Sequence, residues 1–137
     1  MRKVLFKALS SSASLAEIVG PRIIQASALG SELPGYEGVP ERPFVTYRMH
    51  TDFPLEKGLG RREYAQVWAN DEPGDYLRID EILRLCRIAV EAAPSEDDFL
   101  EARWIETGVD LADQAMGTIN RYIRFQFTGT LRERQET

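Results

Sequence analysis

The sequence predicts an α+β domain, an antiparallel or mixed sheet of about four to five strands packed against two α-helices. Three observations carry this. Apolar residues recur at three- and four-residue spacing in two separate stretches, 2–19 and 76–93. Short runs rich in β-branched and aromatic residues lie between and after them, bounded by Gly, Pro and Asp. The last of these, Ile119 to Phe127, sets Ile119, Ile123, Phe125 and Phe127 on one face and Tyr122, Arg124 and Gln126 on the other. A sheet covered on one side produces that division.

Taken in order, Val4, Leu5, Ala8, Leu9, Leu15, Ile18 and Val19 form one apolar stripe, broken by Ser10-Ser11-Ser12. Serine side chains compete for backbone hydrogen bonds, so the helix is expected to end there and restart at Ser14. Gly20-Pro21 stops it. Residues 22–26 suit a short strand, and 27–42, with Gly30, Pro34, Gly35, Gly38 and Pro40, a long loop. Phe44 to Met49 and Arg62 to Ala69 read as two strands of a hairpin whose tip is the breaker-rich stretch 51–61.

Asp75 suits the N-cap of the next helix, because its carboxylate can accept from free first-turn amides. Tyr76, Ile79, Ile82, Leu83, Cys86, Ala89, Val90 and Ala93 then form the clearest stripe of the chain, and Pro94 ends it. Phe99 to Glu106 alternates as a strand with Leu100, Ala102 and Trp104 on one side. Residues 107–118 read as irregular, and the chain after Gly129 as a frayed tail. The 137 residues are expected to form one domain, 1–137, with 129–137 as that tail, and there is no internal repeat.

The balance of charge narrows the function. Residues 1–70 carry nine Lys and Arg against seven Asp and Glu, and residues 71–137 carry eight against fifteen. An acidic second half argues against a nucleic-acid groove, which needs a concentrated basic face. No apolar run approaches the length of a membrane span, and Lys7 interrupts the N-terminal apolar residues too early for a secretory signal, so a cytoplasmic start is expected. The single cysteine, Cys86, falls on the apolar side of a helix and is expected to be a buried hydrophobe.

Catalytic and metal-binding patterns are weak. His50, the sole histidine, has Asp52 two residues on, but there is no activated-serine elbow. Glu96-Asp97-Asp98 lacks the alternating ligands and central glycine of a calcium loop. Gly58-Leu59-Gly60 with Arg61 and Arg62 sits in a hairpin tip and not at a helix N-terminus, so it lacks the geometry of a phosphate site. Trp68 and Trp104 are expected under a helix, with exposure at a contact as the alternative. No catalytic, cofactor or metal residue is assigned, no cofactor is expected, and the chain is not expected to be an enzyme. A small enzyme built on Asp71, Asp75 and Asp110 remains an alternative of another class, as does a monomeric binding module.

Several segments together carry a resemblance. The run Arg42-Pro43-Phe44-Val45-Thr46-Tyr47, the hairpin into Tyr64-Ala65-Gln66-Val67-Trp68-Ala69 and the helix opened by Asp71-Glu72-Pro73-Gly74-Asp75-Tyr76 resemble the tail-terminator, or tail-completion, proteins of long-tailed bacteriophages. The Trp104 strand, the loop with Asp110 and Asp113, and the strand from Thr118 to Phe127 fit the same layout, over residues 3–128 in element order. The resemblance implies a structural virion protein of the tail or neck, assembled in the host bacterial cytoplasm without a membrane. Such subunits form a ring, typically a hexamer, that caps the head-proximal end of the tail tube and stops its polymerisation. Its implied partners are further copies of itself, the tail-tube protein and the head connector or neck protein, with DNA passing through the lumen unbound. Neck or head-closure proteins and tail-tube relatives are the alternatives within the virion. The resemblance carries over no catalytic residue. The long irregular segments suit contacts between subunits, and Phe53, Leu55, Leu59, Arg61 and Arg62 at the 51–61 tip are the candidate subunit-interface residues.

Overall fold

The computed structural model describes residues 2–26, 40–50, 53–54, 60–96 and 98–130. In chain order they form α1 (Arg2–Ser10), α2 (Ala13–Val19), β1 (Ile23–Gln25), β2 (Phe44–Met49), β3 (Phe53–Pro54), β4 (Arg61–Asp71), α3 (Leu77–Glu91), β5 (Phe99–Thr107), β6 (Leu111–Asp113) and β7 (Thr118–Gly129). The strands make one mixed sheet in the order β1-β2-β4-β7-β5, with β3 added to β4 and β6 to β7. This is the α+β sheet-and-helix class that the sequence predicts.

The serine break divides the first helix in two. Ser12 caps α2, its hydroxyl accepting from the Leu15 amide at 3.2 Å. Gly20 closes α2 at φ 57°, a left-handed conformation that glycine tolerates, and its amide donates to Ala16 O at 2.8 Å. At the other helix start, α3 begins at Leu77 with Tyr76 in the capping position, one residue later than Asp75. The Asp75 carboxylate still accepts from the Leu77 amide at 3.0 Å, so it satisfies a first-turn donor from just outside the helix.

β1 lies parallel to β2, Ile23 opposite Val45, and every other pairing in the sheet is antiparallel among the described residues. A parallel pair needs a crossover of a dozen or more residues to bring the chain back to its starting edge. The length of the 27–42 connection therefore has a topological cause. β2 and β4 form the expected hairpin, Phe44 opposite Asn70 through Met49 opposite Ala65. Part of the 107–118 stretch, expected to be irregular, is strand β6, which pairs Leu111 with Asn120 and Asp113 with Thr118.

All three helices cover one face of the sheet. Leu5, Leu9, Leu15 and Val19 from α1 and α2, with Ile79, Ile82, Cys86 and Val90 from α3, meet Val45, Val67, Ile123, Phe125 and Phe127 in a single core. The rings of Phe99 and Phe127 pack at 5.4 Å with a 49° tilt. Each fully buried side chain of this size contributes about 1.5–3 kcal/mol through removal from water. α1 lies at the β1 end of the sheet, while α3 crosses β4, β7 and β5. The two lateral edges, β1 and β5, thus have different neighbours.

Candidate assembly surfaces

The opposite face of the sheet bears no described helix, and its residues follow from strand alternation. Thr46 and Arg48 of β2, Gln66, Trp68 and Asn70 of β4, and Asn120, Tyr122 and Arg124 of β7 share it, with Trp68 directly between Thr46 and Tyr122. Trp68 and Tyr122 pack with ring centroids 6.3 Å apart, and the Arg48 guanidinium lies 5.6 Å from the Trp68 ring. Gln66 Oε1 is shared by Arg48 Nη2 at 3.3 Å and His50 Nε2 at 2.7 Å. Asn70 Nδ2 donates to Thr46 Oγ1 at 3.2 Å and to Phe44 O at 3.4 Å. Arg124 pairs with Glu106 at 3.1 Å, and the Tyr122 hydroxyl donates to the same carboxylate at 3.4 Å. Trp, Tyr and Arg in this density are the composition of contact surfaces between proteins. The arrangement also places the His50 ring on Gln66.

The carboxylates that could have served acid–base chemistry are each held by a structural partner. Asp71 is buried and takes a two-pronged contact from Arg78, at 2.7 and 2.5 Å, together with the Glu72 amide at 2.7 Å. Burial acts to raise its pKa, but these bonds, with the charges of Arg78 and Arg42, more than offset it and hold the carboxyl below its ordinary value. Asp75 accepts from Leu77, and Asp110 pairs with Arg121, which also donates to Asp80 at 2.5 Å. Glu96 pairs with Lys7 at 3.0 Å and Asp98 with Arg61, so these two neighbouring acids engage different elements. Among the described residues there is no cluster of His, Cys, Asp and Glu fit to hold a metal ion. Burial pushes the Cys86 thiol up to about 12.

A groove of about 590 Å³ between α1 and α3 is lined by Val4, Ala8, Ile88 and Ala89, with Lys7 and Glu96 at its rim. No described helix is long and apolar enough to cross a membrane.

Leu55 and Leu59 lie outside the described residues. Phe53 is placed by its backbone in β3, opposite Arg62. Arg61 opens β4, and its guanidinium pairs with Asp98 within the chain and lies 3.8 Å from Glu63. Arg62 is half-buried next to it, opposite Thr128 on the other side.

The fold is similar to that of a chain from the virion of a native gene transfer agent (GTA) particle, with a TM-score of 0.72. The likeness covers 94% of this chain and 93% of that one at 12% sequence identity, which makes it a likeness of fold. No protein-family model matches the chain, and no curated protein does.

The β5 edge departs from the sequence reading. The sequence predicts Trp104 under a helix by default. It does face the α3 side, opposite Phe125, but at the rim of the sheet, 37% exposed, with the Arg87 guanidinium 4.2 Å from its ring. Its indole N–H donates to Thr107 Oγ1 at 3.2 Å, and its amide donates to Glu91 at 3.2 Å. Leu100, expected on the same side as Ala102 and Trp104, is displaced by a register shift between Phe99 and Glu101 and is 50% exposed. No periodicity in the sequence marks such a shift, because one extra residue resets the alternation that the reading depends on.

Proposed function

We propose that this protein is a structural subunit of a phage-like virion, and that within it the chain acts as a tail terminator. The observation that carries the reading is the near-complete overlap, in both directions, with a chain that belongs to a virion particle. The sequence resemblance to tail terminators supplies the finer assignment. On this reading, copies of the chain close into a ring, six in the typical case, at the head-proximal end of the tail tube. The ring stops the tube from growing and presents its other side to the head connector. DNA crosses the lumen, and the acidic second half of the chain disfavours adhesion to it. The work is done by surfaces, which agrees with the structural engagement of Asp71, Asp75 and Asp110 and speaks against the enzyme alternative. In the same reading the 51–61 stretch, with Phe53, Leu55, Leu59, Arg61 and Arg62, meets a neighbouring subunit or the tube.

Particles assembled without the protein test the assignment. Overlong tails on otherwise filled heads are expected for a terminator. Heads that leak DNA would instead make the chain a closure protein of the neck, and loss of the tube itself would make it a tube subunit. Normal particles would remove the virion role. Absolute mass across a concentration series, by light scattering coupled to size exclusion, checks the ring: a mass near six subunits is expected, and a single subunit under all conditions, including on added tail tubes, speaks for the binding module.

A further inference from the structure

Both register shifts in β5 place an extra apolar residue on the outer edge of the sheet. Between Phe99 and Glu101 the partner strand advances by one residue, from Gly129 to Thr128, leaving Leu100 unpaired; between Trp104 and Glu106 it advances from Phe125 to Arg124, leaving Ile105 unpaired. These two side chains are 50% and 41% exposed. Val109, just before β6, and Leu111, its first residue, continue the line at 70% and 46%, and Leu77 at the start of α3 adds 75%. The Tyr76 hydroxyl ties that helix start to Leu111 O at 3.1 Å. With Trp104, six of the eight large apolar side chains exposed among the described residues lie on this one flank. Bulges normally blunt an edge against strand addition. Here they do so while turning apolar side chains outward, which suits a contact made by side chains.

Charge says what meets it. Glu106 is paired with Arg124, Arg87 over Trp104 is paired with Glu91, and Arg121 is shared by Asp80 and Asp110. That leaves Glu101, Asp113 and one of the two acids on Arg121 against a single base, Arg103. The far flank of the sheet has the opposite character. α1, lying at the β1 end, carries Arg2, Lys3 and Lys7 with no acid. Lys7 is paired with Glu96, whereas Arg2 and Lys3 are exposed and have no ion pair among the described residues. Phe6 stands beside them, 43% exposed and packed at 6.1 Å against Tyr47.

We infer that the β5–β6 flank of one copy docks on the α1 flank of a second copy of this chain. Leu100, Ile105 and Val109 lie against Phe6, and Glu101 and Asp113 face Arg2 and Lys3. The two surfaces are at opposite ends of the sheet and differ from each other, so the contact is head-to-tail. Contacts of that kind close rings or extend into filaments, whereas a self-complementary patch stops at a dimer. The inference rests on the ring reading above and names the surfaces that would make it.

Carbodiimide cross-linking of a one-to-one mixture of ¹⁵N-labelled and unlabelled protein tests it, with wild-type mass measured in parallel. Heavy–light peptides joining Lys3 to Glu101 or Asp113 are expected, while the Lys7–Glu96 link forms within one chain and serves as the internal control. Glu101→Lys and Lys3→Glu should each weaken self-association about tenfold, about 1.4 kcal/mol, and the double variant should recover it, which a fold defect could not do. Heavy–light links between two β5 flanks, or association unchanged in both single variants, would overturn the surface assignment and leave the ring intact. A wild-type mass of one subunit throughout, also with tail tubes, would overturn both.

Discussion

Gly108 lies directly against the ring of Tyr122: a Cβ built on it would sit 2.2 Å from Cε1 and 2.4 Å from Cδ1. The Gly108 amide also donates to Tyr122 O at 2.8 Å, so the two backbones are held at the distance that makes the close approach. Tyr122 cannot retreat freely, since Trp68 packs beside it and Glu106 takes its hydroxyl. Gly108→Ala is therefore expected to destabilise the fold by about 1–3 kcal/mol, the usual range for overpacking. Urea unfolding of G108A, Tyr122→Ala and the double variant checks it. The double variant should lose less than the sum of the singles, and simple additivity would mean that the ring is not the obstacle.

Asp71 gives a prediction with a direction in pH. Its folded pKa is depressed, so the pair with Arg78 stabilises the fold above the unfolded value, about 3.9, and that contribution is lost as pH falls through the lower folded value. Asp71→Asn should cost about 2 kcal/mol near pH 7, in the range for hydrogen bonds to charged groups, and less at an acidic pH below the unfolded value, where the contribution of the charged pair is being lost. Chemical denaturation at the two pH values measures the gap. Equal losses at both would assign the effect to packing.

The helix stripes and the polarity of the last strand were legible because each rests on a repeat within one segment. Val45, Val67, Ile123 and Phe125 meet the helices as their spacing implies, and Ser12 and Gly20 delimit α2 with the residue types such ends require. What the sequence did not carry are relations between segments. The parallel register of β1 on β2 depends on where 27–42 returns the chain. β6 is three residues long, and its pairing partner supplies its order, not its composition. Leu100 and Ile105 leave the alternation through bulges fixed by β7. The candidate surface was only partly readable for the same reason. Arg61 looked like a hairpin-tip cation until the fold brought Asp98, 37 positions later, onto it.

Cys86 should be chemically silent in the native protein. Burial disfavours the thiolate and pushes the thiol up to about 12, so at pH 8 almost none is ionised, and the side chain has no exposure to reagent. Ellman's reagent at pH 8 is expected to react with less than about a tenth of the thiol in native protein over an hour and with all of it in denaturant. Rapid native labelling would mean that α3 leaves the sheet far more readily than its buried face implies.

The two tryptophans allow the β5 flank to be followed as copies associate. Trp104 is held at the rim by Arg87, Thr107 and Glu91, and it is partly open to water. A contact on that flank must cover it, whereas Trp68 is on the other face of the sheet, on the central strand β4 two strands in from the β5 edge, with Tyr122 and Arg48 around it. In Trp68→Phe protein, where Trp104 is the sole emitter, acrylamide quenching should fall about twofold or more between dilute and assembled samples, since an interface core excludes solvent much as an interior does. In Trp104→Phe protein the quenching of Trp68 then reports whether the helix-free face is covered in the same step. Unchanged Trp104 quenching on association would place the contact away from β5.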